Sequence, residues 1–328
     1  MKTMSERELL YLSQEDVVAT DVGMPEILEA LETAFREHGE GRAEMPPKPG
    51  IHPGDGDNFI HAMPAYIPAL ESAGVKWVSG FPGNQDLGLP YINGLLVLND
   101  PATGMPLAVM DCVWITGART GAATALSAKY LARPDSSVLG VLGCGVQART
   151  NLEGLKALFP LEAVKAYDIH AEISGAYALE MATRFGIEAV AVSTPEEAVR
   201  GCDIVVTAGP ILKAPHAKIQ AGWLDEGAFA SLVDFDSYWH ADAIGEVDKF
   251  CTDDTPQLRF YQDEGYFQHI PPVHADLGEL VTGTKAGRES PTERTMTATL
   301  GMALDDMAVA PLISKKAIQD GSGVRLPL

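Results

Sequence analysis

The sequence predicts an α/β protein in which a doubly wound parallel sheet is inserted into a smaller α+β unit. Three observations predict it. The stretch VLGVLGCGVQAR, Val138 to Arg149, reads as a strand, a glycine turn and the start of a helix. After it, apolar strands alternate strictly with amphipathic helices, the pattern of a parallel sheet covered on both faces. Before it, the patterning is that of antiparallel hairpins.

The elements follow in order. PEILEALETAFREH, residues 25–38, places Ile27, Leu28, Leu31, Ala34 and Phe35 on one helical face, with Pro25 suited to the first turn. Glycine and proline mark Met45 to Gly56 as a loop. Residues 75–79 and 91–98 read as strands, Asn99 to Pro106 as a turn, and 107–111 as the returning strand. GAATALSAKYLA, from Gly121, is helical and rich in small residues. The turn at Gly143 follows, and then VQARTNLEGLKALF (helix), AVKAYDI (strand), AEISGAYALEMATRF (helix), EAVAV (strand), PEEAVRG (short helix) and DIVVTAG (strand). AFASLVDF and KFCTDD are further strands. The segment TMTATLGMALDDMAVAPLISKKAIQDG reads as one or two helices, too long for a last element of the parallel sheet, and is expected to cross back to the first domain.

Composition narrows the function classes. With 24 basic and 45 acidic residues the net charge is −21, a surface that repels phosphate backbones and argues against nucleic-acid partners. No apolar run approaches the roughly 20 residues of a membrane span. MKTMSERELLYLSQED has no secretory pattern, and four cysteines without a CxxC pair suggest reduced thiols, a cytoplasmic setting and no metal site.

Gly143, Gly145 and Ala148 form the G-x-G-x-x-A fingerprint of a Rossmann-type dinucleotide turn. The first glycine permits the tight turn, the second lets backbone approach a pyrophosphate, and the small Ala148 allows close helix–strand packing. Phosphates would sit on the helix N-terminus. Asp168, at the end of the next strand, is placed for a ribose 2′-hydroxyl. Ile169-His170-Ala171-Glu172 offers no Arg or Lys for a 2′-phosphate, so NAD(H) is expected over NADP(H). The alternative is a glycine turn of some other doubly wound protein. Cys144 reads as a small packing residue.

Three cations stand out before the turn: Lys48 in MPPKPGIHP, Lys76 in GVKWVSGFPGN, and Arg119 at the start of the small-residue helix. A lysine inside an apolar strand has its pKa lowered by desolvation, which suits proton transfer. An arginine where a helix opens can grip a carboxylate with two parallel bonds. Each could instead be an ordinary surface charge.

Taken together, Lys76, GLPY…LND-P-x-TG-x-P-LA (Gly88 to Ala108), RTGAATALSA, GCGVQAR and the acidic strand end after ASLV resemble the ornithine cyclodeaminase/μ-crystallin family over nearly the whole chain. The chain looks closest to a branch named as an accessory component of tyramine oxidase. The resemblance implies a homodimer. Residues 1–118, completed by 300–328, would form the substrate and dimerisation domain, and 119–299 the Rossmann NAD-binding domain. It implies that Arg119 binds the substrate carboxylate, that Lys76 contacts it and relays protons, and that Asp236 handles the amine or activates water. Asp234, two residues earlier, is the other candidate for that role. Gly143, Gly145, Gln147 and Ala148 match the family's pyrophosphate turn, and Asp168 its ribose acid. Lys48 stands where the family has a second arginine, and Tyr91 where a threonine is common. Trp77, Trp114, Trp239, Tyr91 and Tyr238 either line a pocket or pack, and His61 is a site residue or a structural histidine.

The expected function is net NAD(H)-dependent hydride transfer at the α-carbon of a small amino or imino acid. The alternatives are a cyclodeaminase-type lyase that uses NAD catalytically and releases ammonia, and a non-catalytic accessory subunit.

Overall fold

Alternation of period two through residues 59–111 lays down one sheet, and buried β-branched runs after residue 138 lay down another. The computed structural model describes residues 8–54 and 58–328. Residues 1–7, on which part of the leaderless reading falls, and 55–57, which take in the end of the Pro-rich loop, lie outside the described residues. The chain divides into two compact units, Met1–Arg119 with Met302–Leu328, and Thr120–Gly301.

The first unit runs β1 (Glu8–Leu12), α1 (Gln14–Ala19), α2 (Met24–Gly39), β2 (Gly50–Ile51), β3 (Phe59–Ile67), β4 (Ser72–Gly80), β5 (Ile92–Asn99), β6 (Pro106–Asp111) and the start of α3 (Val113–Leu131). The second unit continues with β7 (Val138–Leu142), α4 (Val146–Leu158), β8 (Ala163–Tyr167), α5 (Ala171–Phe185), β9 (Glu188–Ala191), α6 (Pro195–Val199) and β10 (Ile204–Thr207). It closes with β11 (Phe229–Leu232), α7 (Ala241–Gly245), β12 (Lys249–Thr252), α8 (Thr255–Asp263), β13 (Val273–Asp276), α9 (Leu277–Thr282) and β14 (Thr295–Ala298). Helix α10 (Ala303–Asp320) and β15 (Val324–Pro327) belong to the first unit.

Among the described residues the first unit carries a seven-stranded sheet, β15-β1-β6-β5-β4-β3-β2, antiparallel except where β1 meets β6. Its inner face presents Leu10, Leu12, Met63, Ala65, Val78, Leu96, Leu98 and Met110, all buried. Helix α10 packs on β3, β4 and β5, and α2 packs on α10 and β3.

The second unit carries an eight-stranded sheet among the described residues, β13-β12-β14-β11-β10-β7-β8-β9, parallel throughout. Every residue of β10, β11, β12 and β14 is buried, as expected for a sheet covered on both faces. Thr295–Ala298 corrects the reading of the C-terminal segment as helix alone. Its two threonines suit a strand, and it lies between β11 and β12 in the sheet. The small residues of α3 have a structural reason as well: a Cβ on Gly121 would lie 2.1 Å from the Thr150 carbonyl oxygen, so α3 and α4 cross almost backbone to backbone.

Candidate active site

Lys76 lies mid-strand in β4, and the period-two alternation turns it onto the inner face while Trp77 points outward. Lys76 is 1% exposed. Its ammonium lies 2.7 Å from Asp306 Oδ2 and donates to Thr116 Oγ1 at 3.3 Å. Arg119 is also buried, its Nε 3.3 Å from Asp306 Oδ1 and its Nη1 3.4 Å from Asp305 Oδ2. The contacts to Asp306 are ion pairs outside hydrogen-bond geometry. Burial lowers Lys76 to about 8, partly offset by the Asp306 charge, with Arg119 pushing it further down. Burial also raises Asp305 to about 6 against the pull of Arg119.

Arg119 does not stand at the opening of its helix, as the small-residue run suggested. Helix α3 starts at Val113, whose N–H donates to Asp111 Oδ1 at 2.9 Å, so Arg119 sits in the second turn. Lys48 is buried in the loop before β2. His61 shares the inner face of β3, whose next inward residue, Met63, pairs with Lys76. Burial, then Lys48, His52 and Lys76, lower His61 to about 4, which keeps it neutral. Tyr91 directly precedes β5, the strand whose Leu96 pairs with Lys76.

The placement of α10 has a local cause. Pro311 within the helix has no N–H, which leaves the Met307 carbonyl without its helical donor. Ser72 of β4 fills the gap, its hydroxyl donating to that carbonyl at 2.6 Å. This contact fixes α10 against β4 at the residue next to Asp306. Both acids are buried at 0% exposure. Asp305 also accepts the Met302 N–H at 3.0 Å and so caps the helix.

In the second unit, Gly143 has φ +89°, and a Cβ there would meet the Ala208 carbonyl oxygen at 2.7 Å. Gly145 differs: a Cβ there would meet nothing within 4 Å, so this backbone faces open space at the start of α4. Ala148 is fully buried. Gln147 Oε1 is buried without a hydrogen-bond partner. Asp168 accepts the Cys144 N–H at 2.9 Å and the His170 N–H at 3.0 Å, which ties the end of β8 to the turn. Arg149 donates to the carbonyls of Cys144 and Gly145 at 2.7 and 2.9 Å and is held by Glu180. Burial pushes the Cys144 thiol up to about 12, which suits packing rather than redox chemistry.

Asp234 and Asp236 follow β11. Asp234 is fully buried, with Oδ1 accepting from the Thr207 hydroxyl at 2.6 Å and Oδ2 from the Gly209 N–H at 2.9 Å. Burial raises it to about 7. Asp236 is also buried, but its Oδ1 has no partner. Burial raises its pKa, opposed by the Phe267 N–H and the nearby His269. The residues beside it are strained: Phe235 and Phe267 have φ of 63° and 51°, and their rings pack 4.8 Å apart. Non-glycine residues held at positive φ gather at functional sites.

The structure thus brings Lys76 and Arg119 together in the first unit and gathers Gly143, Gly145, Gln147, Ala148 and Asp168 around the turn of the second. Asp305 and Asp306 went unsighted in the sequence, because acids in a helix's first turn read as partners of its dipole. Their one signal is that apolar residues surround them on every side in GMALDDMAVA. Trp239 is a core residue, its Nε1 donating to Thr207 Oγ1 at 3.3 Å. Among the described residues, no cluster of three or more His, Cys, Asp or Glu side chains could hold a metal ion.

The family model of the ornithine cyclodeaminase/mu-crystallin family matches residues 8–321, and the chain belongs to that family. It is 38% identical to an alanine dehydrogenase of Archaeoglobus fulgidus, over 97% of this chain and 98% of the relative. Among solved structures it is similar to Thermococcus litoralis Delta(1)-pyrroline-2-carboxylate reductase in complex with NADH and L-proline, with a TM-score of 0.87, 34% identity, and coverage of 97% and 100% of the two chains. An archaeal alanine dehydrogenase dimer with bound NAD aligns with a TM-score of 0.88 at 36% identity, covering 98% and 100%.

Proposed function

We propose that the chain is an NAD(H)-dependent oxidoreductase that transfers hydride at the α-carbon of a small amino acid or its imine. The observation that carries this reading is the buried Lys76–Arg119 pair in a chain that also holds a dinucleotide turn. The relatives include an alanine dehydrogenase and a reductase described with NADH and L-proline.

The turn fits the nucleotide. Gly145 leaves the room a pyrophosphate needs, α4 offers its N-terminal amides, Gln147 has an unused buried oxygen, and Asp168 ends the neighbouring strand. Arg149 ties the carbonyls of Cys144 and Gly145 to the first turn of α4. NAD(H), when bound, supplies the hydride donor or acceptor.

In the first unit, Arg119 and Lys76 hold the substrate carboxylate, with the neutral His61 near Lys76 and Lys48 near His61. Lys76, lowered to about 8, can give up or accept a proton near neutral pH. Asp236, with its unpartnered oxygen, accepts a proton from the amine or returns one to the imine nitrogen. Burial of these groups excludes water that would hydrolyse an imine.

The chain is also proposed to form a homodimer. The outer face of the first sheet exposes Tyr11, Trp77, Leu95, Leu107, Val324 and Leu326. Trp77 pairs across strands with Leu95, and Tyr11 with Val324, so the apolar residues adjoin. Such a face marks an interaction surface, and the archaeal relative is described as a dimer.

The test is an absorbance assay at the NADH band with α-keto acids plus ammonia or methylamine, with cyclic imino acids, and with amino acids and NAD in reverse. Net NADH consumption is expected. Ammonia release from ornithine with no net NADH change would make the chain a lyase instead.

A further inference from the structure

We propose that Asp306 is the positioning residue of the substrate site, holding the Lys76 ammonium and the Arg119 guanidinium at one fixed separation through its two carboxylate oxygens. The inference rests on the reading of Lys76 and Arg119 as the substrate's carboxylate clamp.

The geometry separates Asp306 from its neighbour. Oδ2 lies 2.7 Å from Lys76 and Oδ1 lies 3.3 Å from Arg119, so one rigid group spans cations that come from β4 and α3. Asp305 reaches only Arg119, at 3.4 Å, and spends the same oxygen on the Met302 N–H. Neither oxygen of Asp306 has a hydrogen-bond partner in good geometry. The role of Asp306 is therefore charge and spacing rather than capping. A cation pair buried this deeply needs a resident counter-charge, and one spanning acid supplies it while fixing the distance that a carboxylate with two oxygens requires.

Asp306 also bears on how Lys76 titrates. The charged or titratable groups around Lys76 are Asp305 and Asp306 on α10, Arg119 on α3, Cys112 just before α3, and His61 on β3, which Lys48 in turn influences. Of these, Asp306 is the leading influence that favours the ammonium form.

The experiment uses the full chain and the variants Asp306→Asn and Asp306→Glu. The first readout is the titration of the Lys76 side chain by NMR with isotope-labelled lysine, assigned through Lys76→Arg. The second is the pH profile of kcat/KM with the amino-acid substrate, alongside NADH binding followed by fluorescence. In Asp306→Asn the Lys76 titration should move down by about a pH unit or more. The matching limb of kcat/KM should move with it, and KM should rise at least tenfold while NADH affinity holds. Asp306→Glu should restore the titration but not the KM, because the charge returns with the wrong reach. The proposal is overturned if Lys76 titrates in Asp306→Asn as in the wild type. It is equally overturned if Asp306→Glu, which keeps the charge should Asp306→Asn not fold, leaves KM unchanged. A shifted Lys76 titration in a chain that turns over no amino or imino acid would instead keep the pairing and remove the functional reading.

Discussion

Two aspartates separated by one residue, Asp234 and Asp236, differ in what their oxygens meet. From the sequence alone either could be the acid that serves the amine, because spacing says nothing about which oxygens are already engaged. Asp234 has both oxygens committed, to Thr207 and Gly209, and so fastens the end of β11 to the loop after β10. Asp236 keeps one oxygen buried and unmatched beside two phenylalanines at positive φ. Asp234→Asn would set an amide N–H against the Gly209 N–H or lose the Thr207 bond, costing about 1–3 kcal/mol. Urea unfolding should show that loss with turnover largely kept. Asp236→Asn should do the reverse, with stability near wild type and turnover down roughly 100-fold or more. Equal loss of turnover in both variants would refute the division. Lys76 and Trp77 make a similar contrast. Both were legible as site candidates, and the strand's alternation sends one to the inner face and the other outward.

At the scale of elements, the alternating strands and helices of the second unit were legible because each strand is a short apolar run bounded by turn residues. The glycine turn was legible for the same reason. Thr295–Ala298 was missed because four buried residues beside a long helical pattern carry no period of their own. The second acid pair was missed because burial of a helix's first turn depends on what covers it. Strand β4 is one of the elements that cover α10, held there through the Ser72 hydroxyl and the carbonyl that Pro311 leaves free. Ser72→Ala should therefore destabilise the protein by about 1–3 kcal/mol, since the Met307 carbonyl is buried with no other donor in its helix. In a Pro311→Ala background the helix regains the missing N–H, and the same substitution should cost less. A double-mutant cycle by chemical denaturation measures the coupling. Strict additivity of the two substitutions would show that Ser72 does not serve that carbonyl.

For the whole molecule, the net charge of −21 keeps the surface acidic, while Lys48, Lys76 and Arg119 of the first unit are buried. No helix among the described residues is long and apolar enough to cross a membrane. The apolar outer face of the first sheet is proposed to seat a second copy of the chain. Light scattering on the wild type should give twice the chain mass, and Trp77→Glu, at a residue 50% exposed in the single chain, should give the mass of one. A dimer undisturbed by that charge would place the interface elsewhere. The central claim is that this family member reduces imines, or oxidises amino acids, with Lys76 at the carboxylate. Its most direct test is NADH consumption by Lys76→Met with the best substrate found. A fall of roughly 100-fold or more with NADH binding retained is expected; turnover at the wild-type rate would rule out this role for Lys76.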